Sequence, residues 1–127
     1  MATVLIIDDS HLGRTHASIA LRGTPHRVLI ARDGIEALAI FDEDMPDCVV
    51  LNQHTLALST EELIDRIRAK SAPTGVIVRG TALTDQSKNA YRTRGADAVL
   101  SAPQQGDTDL LNAIETCVAQ EPFSHTG

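Results

Sequence analysis

Five short apolar runs, each followed by a helix-like segment, constrain this fold more tightly than any other feature of the sequence. "TVLIID" (residues 3–8), "HRVLIA" (26–31), "DCVVLN" (47–52), "GVIVR" (75–79) and "DAVLS" (97–101) are rich in Val, Ile and Leu at consecutive positions. Hydrophobicity that runs on rather than alternating belongs to strands buried on both faces, as in a parallel sheet. The intervening segments carry helical spacing. Leu12, Ile19 and Ala20 are expected to face inward from a helix over 10–21 that Ser10 can cap. Ile35, Leu38, Ala39 and Phe41 are expected to do so from 33–44, and Leu63, Ile64 and Ile67 from a helix opening at Ser59 or Thr60 and stopping before Pro73. A weaker helix spans 85–93, and Leu110, Leu111, Ile114 and Val118 are spaced for burial in a last one over 107–119.

Strands and helices alternating five times imply right-handed crossovers and a doubly wound α/β sheet covered on both faces. The domain is expected over 1–120, with 121–127 as a flexible tail. In such sheets ligands sit outside the carboxyl ends of the strands, where strand order reverses. The residues predicted there are Asp8-Asp9, Asn52, Gly80-Thr81 and Ala102-Pro103.

Charge and composition narrow the functions. A net charge of −6 disfavours nucleic acid as a partner, because phosphate contacts need clustered Lys and Arg. The one basic knot, Arg66, Arg68 and Lys70, reads as the solvated face of a helix. No apolar run approaches the ~20 residues of a membrane span, and no segment resembles a secretory leader. The expectation is a cytoplasmic protein without membrane insertion, in which Cys48 and Cys117, lacking any CxxC spacing, are reduced and buried.

In order, "VLIIDDS", "ARDGIEAL", "PDCVVLN", "VIVRGTA" and "GADAVLSAP" resemble the response regulator receiver domain of two-component signalling, from Val4 to about Ala119. The resemblance implies a flavodoxin-like (βα)5 fold. It also implies a site in which a histidine kinase phosphorylates an aspartate at the end of the third strand. An acidic pair there holds Mg²⁺, and a hydroxyl after the fourth strand and a lysine after the fifth contact the phosphoryl oxygens. Asp8 and Asp9 match the acidic pair, and Thr81 matches the hydroxyl. Asn52 stands at the phosphoacceptor position, Ala102 at the lysine position and Val99 at that of the aromatic switch. Thr55 and Leu56 replace the usual Met-Pro beyond the acceptor, and Thr60 replaces the usual glycine.

An amide is a very poor nucleophile and a weaker Mg²⁺ ligand than a carboxylate. Three carboxylates at one site would repel by about 3 kcal/mol per pair at ~5 Å and an effective dielectric of ~20, so an asparagine also relieves strain. The resemblance therefore implies a degenerate, non-phosphorylatable receiver: a non-enzymatic module with no cofactor and with Mg²⁺ binding weak or absent. It would bind a kinase, an output domain, a localisation factor or a second copy of itself. The output surface implied by the family covers about residues 85–119, with Lys88, Tyr91, Arg92, Val99 and Gln105 placed on it. Tyr91 has the plainer reading of a half-buried helix residue.

Two alternatives stay open. One is phosphorylation at a non-standard residue such as Asp9 or Thr81. The other is a sensor of a small ligand or metal at the strand ends, where Asp8, Asp9 and His54 are the residues a transition metal would use. His54 reads more plainly as an exposed loop histidine. "DSHLG" is one residue short of a cobalamin signature and falls at a helix start. No GxGxxG or GxxxxGK[ST] is present.

Overall fold

The computed structural model describes residues 2–53, 57–71, 73–101 and 108–119. In chain order these form β1 (Thr3–Ile7), α1 (His11–Leu21), β2 (Arg27–Ala31), α2 (Gly34–Asp44), β3 (Cys48–Asn52), α3 (Thr60–Lys70), β4 (Gly75–Gly80), α4 (Asp85–Arg94), β5 (Ala98–Ser101) and α5 (Thr108–Ala119). The strands make one parallel sheet in the order β2-β1-β3-β4-β5. The chain first steps outward from β1 to β2, then returns past β1 to β3 and continues the other way. Right-handed crossovers convert that reversal into a change of face for the covering helices.

Each strand feeds both layers. Leu5, Ile7, Val49, Leu51, Val76 and Val78 point into one core with Phe41, Leu63, Ile64 and Ile67. Val4, Ile6, Cys48, Val50 and Ile77 point into the other with Ala17, Leu21, Leu110 and Ile114. This two-sided burial is why the runs read as unbroken hydrophobicity.

The inward faces of α3 and α5 match expectation, with Leu63, Ile64, Ile67, Leu110 and Ile114 buried and Leu111 and Val118 packed at the margin. The first two helices differ. Leu12 and Ile19 are 63% and 51% exposed, while Ala17 and Leu21 meet the sheet. Ile35 is 60% exposed and Ala39 also faces out; the buried residues of α2 are Gly34, Ala37 and Phe41. The phase of α2 follows from its cap. Asp33 accepts the Glu36 amide at 2.8 Å, which fixes Gly34 as the first helical residue, and the 34-37-41 spacing selects one face. Ile35 is one position out of phase with that stripe.

Candidate functional site at the strand ends

Strand order reverses between β1 and β3, and Ile7 pairs with Leu51 across them. Carried one residue further, that register sets Asp8 beside Asn52, the last residue of β3. Asn52 in turn pairs with Arg79 of β4. The crevice predicted from the sequence thus brings together Asp8, Asp9, Asn52 and a cation, Arg79, that was not among the expected site residues.

Asp8 is buried. Its Oδ1 accepts the Ser10 amide at 2.8 Å, and its backbone carbonyl accepts Arg14 Nη1 at 2.9 Å. The carboxylate lies so close over α1 that a Cβ at Gly13 would stand 2.1 Å from Oδ2. Burial pushes the Asp8 carboxyl above the usual carboxylate range, and Asp9 adds to the rise. The Ser10 amide and the charges of Arg79 and Arg14 offset part of it. Folded protein therefore holds the Asp8 proton more tightly than unfolded chain does. Stability from this group is full below the unfolded value and declines as pH climbs through the raised folded one. Asp8→Asn, which keeps an acceptor for Ser10, is expected to melt higher than the wild type at neutral pH. The difference should shrink towards zero as the pH is lowered to about 3, and thermal melts across the range check it.

Beyond Asn52, Gln53 turns inward and is buried. Its backbone amide donates to the Arg79 carbonyl at 2.6 Å, and its Nε2 donates to the Tyr91 hydroxyl at 3.0 Å. Gln53 Oε1 is buried without a hydrogen-bond partner among the described residues. A Cβ at Gly80 would lie 2.2 Å from that oxygen, so the Gln53 carboxamide fills the space a side chain at position 80 would take. β4 ends on Gly80, and Thr81, the expected hydroxyl, is exposed one residue later.

The face expected to meet partners is only partly at the surface. Lys88 is half-buried and Arg92 exposed, one turn apart on α4. Tyr91 and Val99 are 3% and 8% exposed, so neither belongs to an outer surface. Tyr91 lies on the inward side of α4, where its hydroxyl meets Gln53, and Val99 packs in the α2–α3–α4 core. Ala102, Gln105 and His54 lie outside the described residues, as does the tail 120–127. Among the described residues no three carboxylate, imidazole or thiol groups converge as a metal site.

Parallel five-stranded topology, an acidic pair at the switch point and the receiver-type segments in order define a class of signalling domain. The chain belongs to the response regulator receiver domain family, whose profile matches residues 4–115. The nitrate/nitrite response regulator NarL of Escherichia coli is 25% identical over 122 residues, covering 94% of this chain and 56% of that protein. The virulence regulator PhoP of Salmonella typhimurium is 30% identical over 106 residues, covering 81% of this chain and 46% of PhoP. The chain thus spans about half the length of these relatives. Among solved structures, the chemotaxis protein CheY4 of Vibrio cholerae superposes with a TM-score of 0.84 at 27% identity, covering 92% of this chain and 98% of that one. No helix among the described residues is long and apolar enough to cross a membrane.

Proposed function

We propose that this receiver domain carries no phosphoryl group at the end of β3 and signals by binding another protein. The observation that carries the reading is Asn52 itself, the last residue of β3, abreast of Asp8 and paired with Arg79. An amide there offers neither a nucleophile nor the third anionic oxygen that a hard cation favours. Arg79 and Arg14 already place positive charge around Asp8, so the pocket approaches charge balance without a metal. The donor set of two carboxylates and an amide is a poor fit to Mg²⁺, and no step is assigned to it. Ala102 adds to this reading, because the lysine that would neutralise a transferring phosphoryl group is absent from the sequence.

The partner is a kinase, an output domain or a localisation factor, or a second copy of the chain, and Lys88 and Arg92 supply a cationic stripe for it on α4. The relatives NarL and PhoP are named as regulators, and a receiver's partner in such a system includes the effector it regulates.

Thermal melts with and without millimolar Mg²⁺ test the pocket. The wild-type midpoint is expected to stay where it is, with or without chelator. Asn52→Asp should melt lower than the wild type in chelator, because it adds a third carboxylate. Mg²⁺ should then raise its midpoint, by up to about 2.7 kcal/mol of stability at a hundredfold excess over the dissociation constant. An equal Mg²⁺ response in both proteins would mean that Asn52 completes a working cation site, favouring a phosphoacceptor elsewhere or a metal sensor.

A further inference from the structure

Cys48 opens β3 with no exposed surface, and its register partner is Gly75, the first residue of β4. Paired residues on adjacent parallel strands point to the same face. Here that face is the one covered by α1 and α5. Gly75 contributes no side chain, and Cys117 of α5 descends into the gap. A Cβ at Gly75 would stand 2.6 Å from Cys117 Cβ and 3.0 Å from its Sγ. Cys117 thus sits in the place of a side chain at residue 75, one strand spacing (about 4.8 Å) from Cys48. Interaction with Cys117 raises the Cys48 thiol, with burial adding to the rise, and the same interaction lowers that of Cys117, with burial opposing it. Both cysteines are free, and only Cys117 is partly open to solvent.

We propose that Cys48 and Cys117 are a redox pair, closed by hydroperoxides into a disulfide that staples α5 to the sheet. The half-exposed Cys117 is the residue a peroxide can reach. Its thiolate attacks one peroxide oxygen, the O–O bond breaks, and the other oxygen leaves as an alcohol or water, giving a sulfenic acid on Cys117. The Cys48 sulfur then displaces hydroxide from the Cys117 sulfur. The Cys48 proton leaves with that hydroxide as water, and the S–S bond forms. Overall two thiols lose two hydrogens, and the peroxide O–O bond is reduced. Dithiol reductants reverse the step. The staple fixes α5, which lies within the 85–119 surface that the receiver resemblance implies for partners, and it does not depend on whether β3 carries a phosphoryl group.

The test treats the full-length protein with hydrogen peroxide, alkylates it in denaturant, and reads intact mass, non-reducing peptide maps and the thermal midpoint. The expected result is a monomer lighter by two hydrogens, with no alkylation and a peptide joining Cys48 to Cys117. Its midpoint should rise by on the order of 10 °C and return with dithiothreitol. In Cys48→Ser the oxidised product should instead gain oxygen on Cys117. In Cys117→Ser, which changes only a half-exposed side chain, Cys48 should remain a thiol. Oxygen added to wild-type Cys117 while Cys48 remains alkylatable would overturn the proposal. So would disulfide-linked dimers, or two thiols that survive peroxide.

Discussion

Arg68→Ala is expected to destabilise the domain by about 2–4 kcal/mol, although Arg68 belongs to what reads in the sequence as a solvated basic knot. The guanidinium joins three segments: the end of α3, the approach of β4 and the turn after α4. Its Nη1 donates to the carbonyls of Thr74 and Ser71, which holds the end of α3 to the approach of β4. Nε and Nη2 both donate to the Gly95 carbonyl, at 3.1 and 2.7 Å, and Nη2 also reaches Asp97 Oδ2 at 2.9 Å. Asp97 is committed elsewhere as well, accepting the Val76 amide at 2.8 Å. Truncation would leave several partly buried acceptors without their charged donor, which costs more than the loss of a surface ion pair. Arg66→Ala is the control. Arg66 pairs with Glu62 one turn away on the exposed face, and its removal should change stability by no more than about 0.5 kcal/mol. Arg68→Lys should recover little, because one ammonium cannot fork between Gly95 and Thr74. Urea unfolding of the three variants distinguishes these outcomes.

Arg68 shows where the sequence stops being informative. Periodicity places it on a helix with Arg66 and Lys70, and nothing local distinguishes the three. What separates them is the return of the chain at Gly95, which ends α4 at a φ of +123°, a conformation that side chains with a Cβ rarely adopt. That turn delivers a carbonyl and then Asp97 to a helix nearly thirty residues earlier. The strands were legible because being buried on both faces forces every residue to be apolar. The helices α1 and α2 were legible in extent but not in phase, since Leu12 and Ile35 stay exposed while Ala17 and Gly34 are buried. Small residues at close contacts carry no hydrophobic signal that a pattern can register.

The candidate site divides in the same way. Asp8, Asp9 and Asn52 were legible because strand ends in this topology must converge at the switch point. Gln53 and Arg79 were not. Gln53 matters only because Gly80 leaves room for its carboxamide and Tyr91 turns inward to meet it. Both facts belong to packing across three elements. Tyr91 and Val99 were misplaced on the outer face for the same reason: a half-apolar helix and a short edge strand do not announce which side they bury.

The second large effect concerns chemistry and is all-or-none. Acyl phosphate formation needs a carboxylate oxygen at the end of β3, and the wild type presents an amide there. Asn52→Asp restores that oxygen on an unchanged backbone beside Asp8, with Asp9 next in the chain. It should therefore accept a phosphoryl group from acetyl phosphate in the presence of Mg²⁺. It should do so slowly, because Ala102 supplies no ammonium to the transferring group. The variant thus separates the loss of the nucleophile from the loss of the lysine. Asn52→Asp/Ala102→Lys should be faster still.

Intact mass after incubation with acetyl phosphate and Mg²⁺, read side by side for the wild type and Asn52→Asp, tests the central claim most directly. The prediction is an unmodified wild type beside a variant that gains one phosphoryl group. A stoichiometric phosphoryl adduct on the wild type, whether on Asp9, Thr81 or another side chain, would contradict it.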